Sequence, residues 1–154
     1  MRLECGDKNM YRALDIARYI IERCRDNNRP ISNLKLQKIL YFVQAEFLVT
    51  KNQPCFAEEI QAWDFGPVVP SVYYEYRMFG SANIPCIGRS LTMRTIPARD
   101  RVILDGIIDE CSRYSASALV EITHNQTPWI EAYEQGGYNN EITIESIKDY
   151  FEEE

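Results

Sequence analysis

The sequence predicts a mainly helical fold: a bundle packed around one buried helix, with a small β element. Three observations carry this. Residues 33–50, NLKLQKILYFVQAEFLVT, place Leu36, Ile39, Leu40, Val43 and Phe47 on one side of a helix. They place Leu34, Tyr41, Phe42, Ala45, Leu48 and Val49 on the other, at about 100° per residue. A surface helix carries one apolar stripe, so a helix with two has to be covered on both flanks. The neighbouring amphipathic segments carry single stripes and can supply that cover. Finally, 154 residues with 45% apolar and 26% charged side chains suit one folded domain, 1–154, with a core of ordinary size.

The elements follow in order. Residues 9–25 read as a helix with Ala13, Ile16, Ala17, Ile20, Ile21 and Cys24 on its inner face and Arg12, Asp15, Arg18, Glu22 and Arg25 outside. Asn27-Asn28-Arg29-Pro30 ends it. Ser32 or Asn33 caps the central helix. Residues 57–65, AEEIQAWDF, partly alternate and predict a strand or extended arm, which Gly66-Pro67 breaks. Pro70 opens a short helix that Gly80 closes. Residues 81–96 carry scattered Pro and Gly, and predict a loop or a hairpin over 84–93 that pairs with the 57–65 arm. Pro97 starts a helix with Ile103, Leu104, Ile107, Ile108, Cys111 and Tyr114 on its apolar face. Ser115 starts another, with Leu119 and Ile122 inside. Thr127-Pro128 reads as an N-cap with proline at the first helical position, and Gly136-Gly137 stops that helix. An extended segment at 140–144 leads to a last helix carrying Ile147, Tyr150 and Phe151, with fraying expected over 152–154.

Charge and cysteine content exclude several function classes. Net charge is −6, with a balance of +4 over residues 1–38 and −8 over 121–154. An acidic chain repels phosphate backbones, so no nucleic acid is expected as a direct partner. The acidic end favours a basic protein, or else is a solvated face or a partner for the basic first helix. No apolar run reaches the roughly 18 residues of a membrane span, and the start of the chain lacks a secretory core, so the expected location is the cytoplasm, without membrane contact. Cys5, Cys24, Cys55, Cys86 and Cys111 form no Cys-x-x-Cys pair, which argues against a metal or redox motif.

Candidate chemistry is sparse. His124 is the only histidine; no nucleophile elbow and no second histidine accompany it. Its expected role is a hydrogen bond to loop backbone, and the rival is an enzyme of unrecognised type in which His124 works with Lys38 or Glu131. No Gly-rich phosphate loop is present, and Glu58-Glu59 are adjacent on an extended segment, so they make no acid/base dyad. No cofactor or metal is expected. Lys38 falls within an apolar side of the central helix; such a lysine usually snorkels to solvent, the alternative being a buried amine of lowered pKa. Gln37 and Gln44 are expected to bond backbone groups between packed layers. Trp63, Phe65, Tyr73, Tyr74 and Tyr76 exceed what a core needs and suit a protein-binding surface, with Lys38, His124 and Trp129 shaping a neighbouring pocket.

Four segments in this order carry a family resemblance: LKLQKILYFVQA (34–45), EEIQAWDFGPVVPSVY (58–73), ITHNQTPW (122–129) and EITIESIKDYF (141–151). Ala-Trp-x-x-Gly-Pro-Val at 62–68 and Thr-His-x-x-x-Pro-Trp at 123–129 are the distinctive parts. Together they resemble the SocA-like antitoxin family, also called Panacea, which includes many prophage-encoded phage-associated proteins. The resemblance implies a mainly helical fold with a small strand element. It also implies an antitoxin that neutralises a cognate toxin, encoded by a neighbouring gene, by direct binding, and in some members delivers the toxin to a protease. A protease adaptor or phage–host interaction factor is the related alternative. The resemblance brings no catalytic residues with it.

Overall fold

The computed structural model describes residues 10–86 and 95–153. Seven α-helices lie within them: α1 (Ala13–Asp26), α2 (Asn33–Lys51), α3 (Pro70–Tyr76), α4 (Ala98–Ser112), α5 (Ala116–His124), α6 (Thr127–Glu134) and α7 (Ile144–Glu152). A single 3₁₀ turn, Arg77–Phe79, extends α3 to Gly80. Strands β1 (Ile60–Trp63), β2 (Gly66–Val68) and β3 (Glu141–Ile142) form one antiparallel sheet in the order β2-β1-β3. No helix of the described residues is long and apolar enough to cross a membrane.

The two-striped segment is the interior rod its pattern requires. Helix α2 packs against α1, α3, α4, α5, α7 and β2. Leu36, Ile39, Leu40, Val43 and Phe47 of one stripe are buried, as are Tyr41, Ala45 and Leu48 of the other. Tyr41 and Phe42 meet the Phe151 ring of α7 edge-on, at 5.9 and 6.1 Å between centroids. Leu34 and Val49, near the two ends of the rod, differ: both are exposed. Ser32 is the N-cap, its Oγ accepting from the Lys35 amide at 3.3 Å. Asn33 is thereby left to donate its Nδ2 to the Tyr73 carbonyl at 3.1 Å.

Helix α1 starts later than its periodicity suggests. Tyr11 is extended and bridges Phe56 in parallel, its amide donating to the Cys55 carbonyl at 2.8 Å. Arg12, at the N-cap, has no side-chain acceptor to offer. Glu58 supplies one from 45 residues away, its Oε2 accepting from the Ala13 amide at 3.0 Å. A carboxylate at a helix N-terminus also meets the positive end of the helix dipole. The described arginine pairs of α1 do not reach the acidic end: Arg23 crosses to α4, 2.6 Å from Asp109 and 3.6 Å from Asp105, while Arg18 and Arg25 pair with Asp15 and Asp26 of α1 itself. At the start of α4, Asp100 accepts from Lys51 at 2.7 Å and from the Tyr11 hydroxyl at 2.5 Å. Burial raises its pKa, but these two donors outweigh that and hold it below the ordinary carboxylate value.

The 57–65 arm contains the predicted strand, but Gly66-Pro67 does not break it. A two-residue turn, Asp64-Phe65, sends the chain back along β1, with Trp63 opposite Gly66 and Ala62 opposite Pro67. Proline is tolerated because β2 is an edge strand, where a missing amide leaves no ladder bond unmade. The other neighbour of β1 is β3, which joins Ile60 to Ile142. Both sides of β1 are thus filled without the 84–93 segment; of that segment, residues 87–93 lie outside the described residues, and the adjoining Asn83 bridges Ser32 instead. Helix α6 is capped by Gln126, one residue earlier than Thr127, leaving Pro128 in the first turn. The expected fraying at 154, and Cys5, also fall outside the described residues; Cys24, Cys55 and Cys111 are buried.

Gln44 shows how the polar seam of α2 is satisfied. Its Nε2 donates to the Phe56 carbonyl at 2.9 Å, and its Oε1 accepts from the amides of Cys55 at 2.7 Å and Phe56 at 3.2 Å. Gln44 and both loop residues are buried. Replacing Gln44 by leucine keeps the volume and strands three backbone groups, so we expect a loss of about 3–5 kcal/mol in urea denaturation. An m-value equal to wild type checks that two-state unfolding is kept.

Candidate functional site

The β1–β2 hairpin is where both distinctive motifs meet. Its backbone is held by side chains from three helices. Trp129 on α6 donates its indole Nε1 to the Trp63 carbonyl at 2.9 Å. His124 at the end of α5 places Nε2 at 2.9 Å from the Asp64 carbonyl; a carbonyl only accepts, so Nε2 carries the proton. Tyr133, one turn beyond Trp129, donates its hydroxyl to Asp64 Oδ1 at 2.5 Å. The three rings form one stack, with His124 4.2 Å and Tyr133 4.4 Å from Trp129. From below, Lys38 Nζ donates to the Pro67 carbonyl at 2.9 Å, and Gln37 Oε1 accepts from the Val69 amide at 2.9 Å.

Lys38 does not snorkel. It is 0% exposed, and burial pushes its amine down to about 7. Its aliphatic stem lies under Gly66, whose φ is +106°. A Cβ there would sit 2.7 Å from Lys38 Cε and 2.9 Å from Thr123 Oγ1. Gly66 is therefore required twice, by its backbone angle and by the closeness of the lysine. Thr123 itself turns its hydroxyl back to the Val120 carbonyl at 2.9 Å.

The outer surface of the hairpin is aromatic. Trp63 contacts Tyr73 edge-on at 4.9 Å, and Tyr73 contacts Tyr74 at 5.5 Å. Phe65, at the turn, is 67% exposed and Tyr74 is 54% exposed. Beside them runs a groove of about 410 Å³, walled by Trp63, Phe65, Tyr73, Leu34, Val68 and Tyr138. Arg77 lies at its edge with its guanidinium over the Tyr74 ring, 5.2 Å from the centroid.

The structure thus gathers four of the five contact candidates predicted from the sequence, Trp63, Phe65, Tyr73 and Tyr74. Tyr76 is separate, half-buried against the core beside Arg18 and Cys86. Lys38, His124 and Trp129 do not line the groove; each holds the backbone of the hairpin that forms its wall. Glu131 lines a different cleft, between α6 and α7, with Glu145, Asp149 and Glu153. Lys38, His124 and Glu131 therefore stand at three separate places. Tyr133 and Arg77 are additions that the sequence alone does not single out. Helical spacing could have found both, since Tyr133 follows Trp129 by four residues and Arg77 follows Tyr74 by three. Tyr138, 87% exposed after Gly136-Gly137, carries no such signal.

Two outcomes follow from the strut beneath the hairpin. Gly66→Ala should lower stability by about 2–5 kcal/mol, combining strained φ with overpacking, as read by denaturant midpoint. Lys38→Met tests the buried amine by pH. Between pH 7 and the ordinary lysine value of 10.5 the unfolded chain holds a proton that the folded chain has released, so wild-type stability rises with pH there. Wild type should gain on Lys38→Met by up to about 1.4 kcal/mol per pH unit from pH 7.5 to 9.5. A stability difference that stays flat over that range would mean the amine remains charged.

The chain matches the family described as "Antitoxin SocA-like, Panacea domain" over residues 36–130, which include most of α2, the hairpin, His124 and Trp129. It is 38% identical, over 128 residues and 74% of its length, to a protein named "Antitoxin SocA" from Caulobacter vibrioides (strain NA1000 / CB15N). That alignment takes in 66% of the relative, so the chain spans just under two thirds of it. No solved structure matches. The chain belongs to the SocA-like antitoxin family with the Panacea domain.

Proposed function

We propose that this chain is an antitoxin of the cytoplasm that neutralises a cognate toxin, encoded by a neighbouring, phage-derived or prophage gene, by binding it through the aromatic face of the hairpin. Neutralisation by binding calls for no catalysis, cofactor, nucleic acid or membrane. Phe65 is the observation that carries it. A large apolar ring, 67% exposed, stands on a turn held by His124 at the Asp64 carbonyl, by Trp129 at the neighbouring Trp63 carbonyl and by Tyr133 at the Asp64 carboxylate. Holding an exposed phenylalanine rigid gives little to the fold, since most of its ring stays in water. It does favour binding, because a fixed aromatic loses little entropy when a partner covers it. Family membership supports the antitoxin role.

Co-expression with the product of the neighbouring gene tests this directly. The wild-type chain should form a complex that survives pull-down and should relieve the toxin's growth arrest. Phe65→Ala combined with Tyr74→Ala should weaken the complex by about 2 kcal/mol or more while leaving the thermal midpoint unchanged. Rescue without any complex would count against direct binding. A shorter toxin half-life in the presence of the chain would assign the protease-adaptor route instead of simple masking.

A further inference from the structure

The groove beside the hairpin has a chemical preference of its own, and this deepens the binding face just described and rests on it. We propose that it receives a short segment of the partner carrying one aromatic or long aliphatic anchor with a carboxylate one to three residues away.

The anchor follows from the walls. Trp63, Phe65, Tyr73, Leu34 and Val68 present mostly carbon, and about 410 Å³ is room for one or two large side chains, within the roughly 300–1,000 Å³ of sites that bury small ligands. Trp63 and Tyr73 are fixed by edge-on contact, and the indole Nε1 of Trp63 is already committed to Gln61 Oε1 at 2.9 Å. The wall therefore offers ring surface without an unused indole donor. Asn33 and Gln37, at the floor, are likewise committed to the Tyr73 carbonyl, to each other and to the Val69 amide.

The carboxylate follows from Arg77. Among the described residues this guanidinium has no acidic partner; its central carbon lies over the Tyr74 ring, 5.2 Å from the centroid, at the edge of the groove. The acidic residue in the groove lining is Asp64, and one of its oxygens is held by Tyr133. An arginine placed over a ring in this way still offers a planar fork that suits a bidentate carboxylate. The chain as a whole carries −6, which would repel an acidic segment at a distance. That repulsion is screened beyond about 8 Å at physiological salt, whereas an ion pair in contact with Arg77 lies well inside that distance. Net charge points to a basic partner, but the groove selects for the opposite sign at the point of contact.

The test uses the full chain and a phage-displayed library of random dodecapeptides. Peptides enriched on wild type should combine a Trp, Phe, Tyr, Leu or Met with Asp or Glu within three positions. Labelled versions, measured by fluorescence anisotropy, should lose about tenfold in affinity to Phe65→Ala and to Arg77→Gln, and less to Arg77→Lys. Changing the peptide Glu to Gln should cost as much as Arg77→Gln, and the two changes together little more. Both substitutions are at exposed positions, so unchanged melting confirms folding; Val102→Ala, on exposed α4 surface, serves as the neutral control. Enrichment of basic or uncharged peptides, no enrichment at all, or affinity indifferent to Arg77→Gln overturns the proposal. So does sedimentation showing that a second copy of the chain fills the groove. Peptide binding without growth rescue removes the antitoxin reading and keeps the groove; rescue that ignores both substitutions does the reverse.

Discussion

The structure depends on one constraint: a buried helix whose interior Gln37, Lys38 and Gln44 must be answered by backbone from one segment. Helix α2 is covered on both flanks, yet it carries Gln37, Lys38 and Gln44 inside. A buried polar group without a partner costs on the order of 1–3 kcal/mol, and a charged one more. All three are answered by residues 55–69. Gln44 closes on Cys55 and Phe56, Lys38 on Pro67, and Gln37 on Val69. These bonds fix where the chain between α2 and α3 can run. The hairpin lies where it does because the polar seam of the rod permits little else.

The rod also marks how much of the fold is legible in sequence alone. The double apolar stripe of 33–50 forces an interior helix, since no other arrangement buries both sides. The glutamines are legible as bonding backbone, because an amide between apolar rows has few other options. Their partners are not, because nothing local in Gln44 names Phe56. Long-range polar bonds explain most of the differences. Glu58 caps α1 from 45 residues away, so α1 shows no cap signal at its own start. A single lysine on an apolar face usually reaches solvent, which makes snorkelling the natural expectation for Lys38. Here the stem runs under Gly66, and the amine meets a carbonyl before it meets water. Gly66-Pro67 misleads as a breaker for a similar reason. Those residues do end a strand in most settings, but a positive φ at Gly66 turns the chain back into an edge strand, where proline does no harm.

The candidate face is legible as composition and not as geometry. Surplus Trp and Tyr at 63–76 indicate a surface, yet periodicity alone does not separate Tyr73 and Tyr74 from Tyr76. Packing does: Tyr76 covers the core, while its neighbours build the wall of the groove and its rim. The two distinctive motifs look like separate elements on the chain. In space they are one contact, with Trp63 and Asp64 of the first held by His124 and Trp129 of the second.

This explains why a motif rich in apparent chemistry spends its polar atoms on backbone. Ordering two turn residues opposes folding by roughly 1–2 kcal/mol each in backbone entropy. The bonds from His124 and Trp129 onto the carbonyls of Asp64 and Trp63, each worth on the order of 1 kcal/mol, offset part of it without burying Phe65. The histidine and the indole thus spend their donors on backbone carbonyls, the phenol spends its own on the Asp64 carboxylate, and the buried lysine supports the hairpin from beneath. The large group the arrangement leaves outward at the turn is the phenylalanine ring. The direction in which each side chain is spent therefore supports the proposal that the hairpin is a surface for recognition.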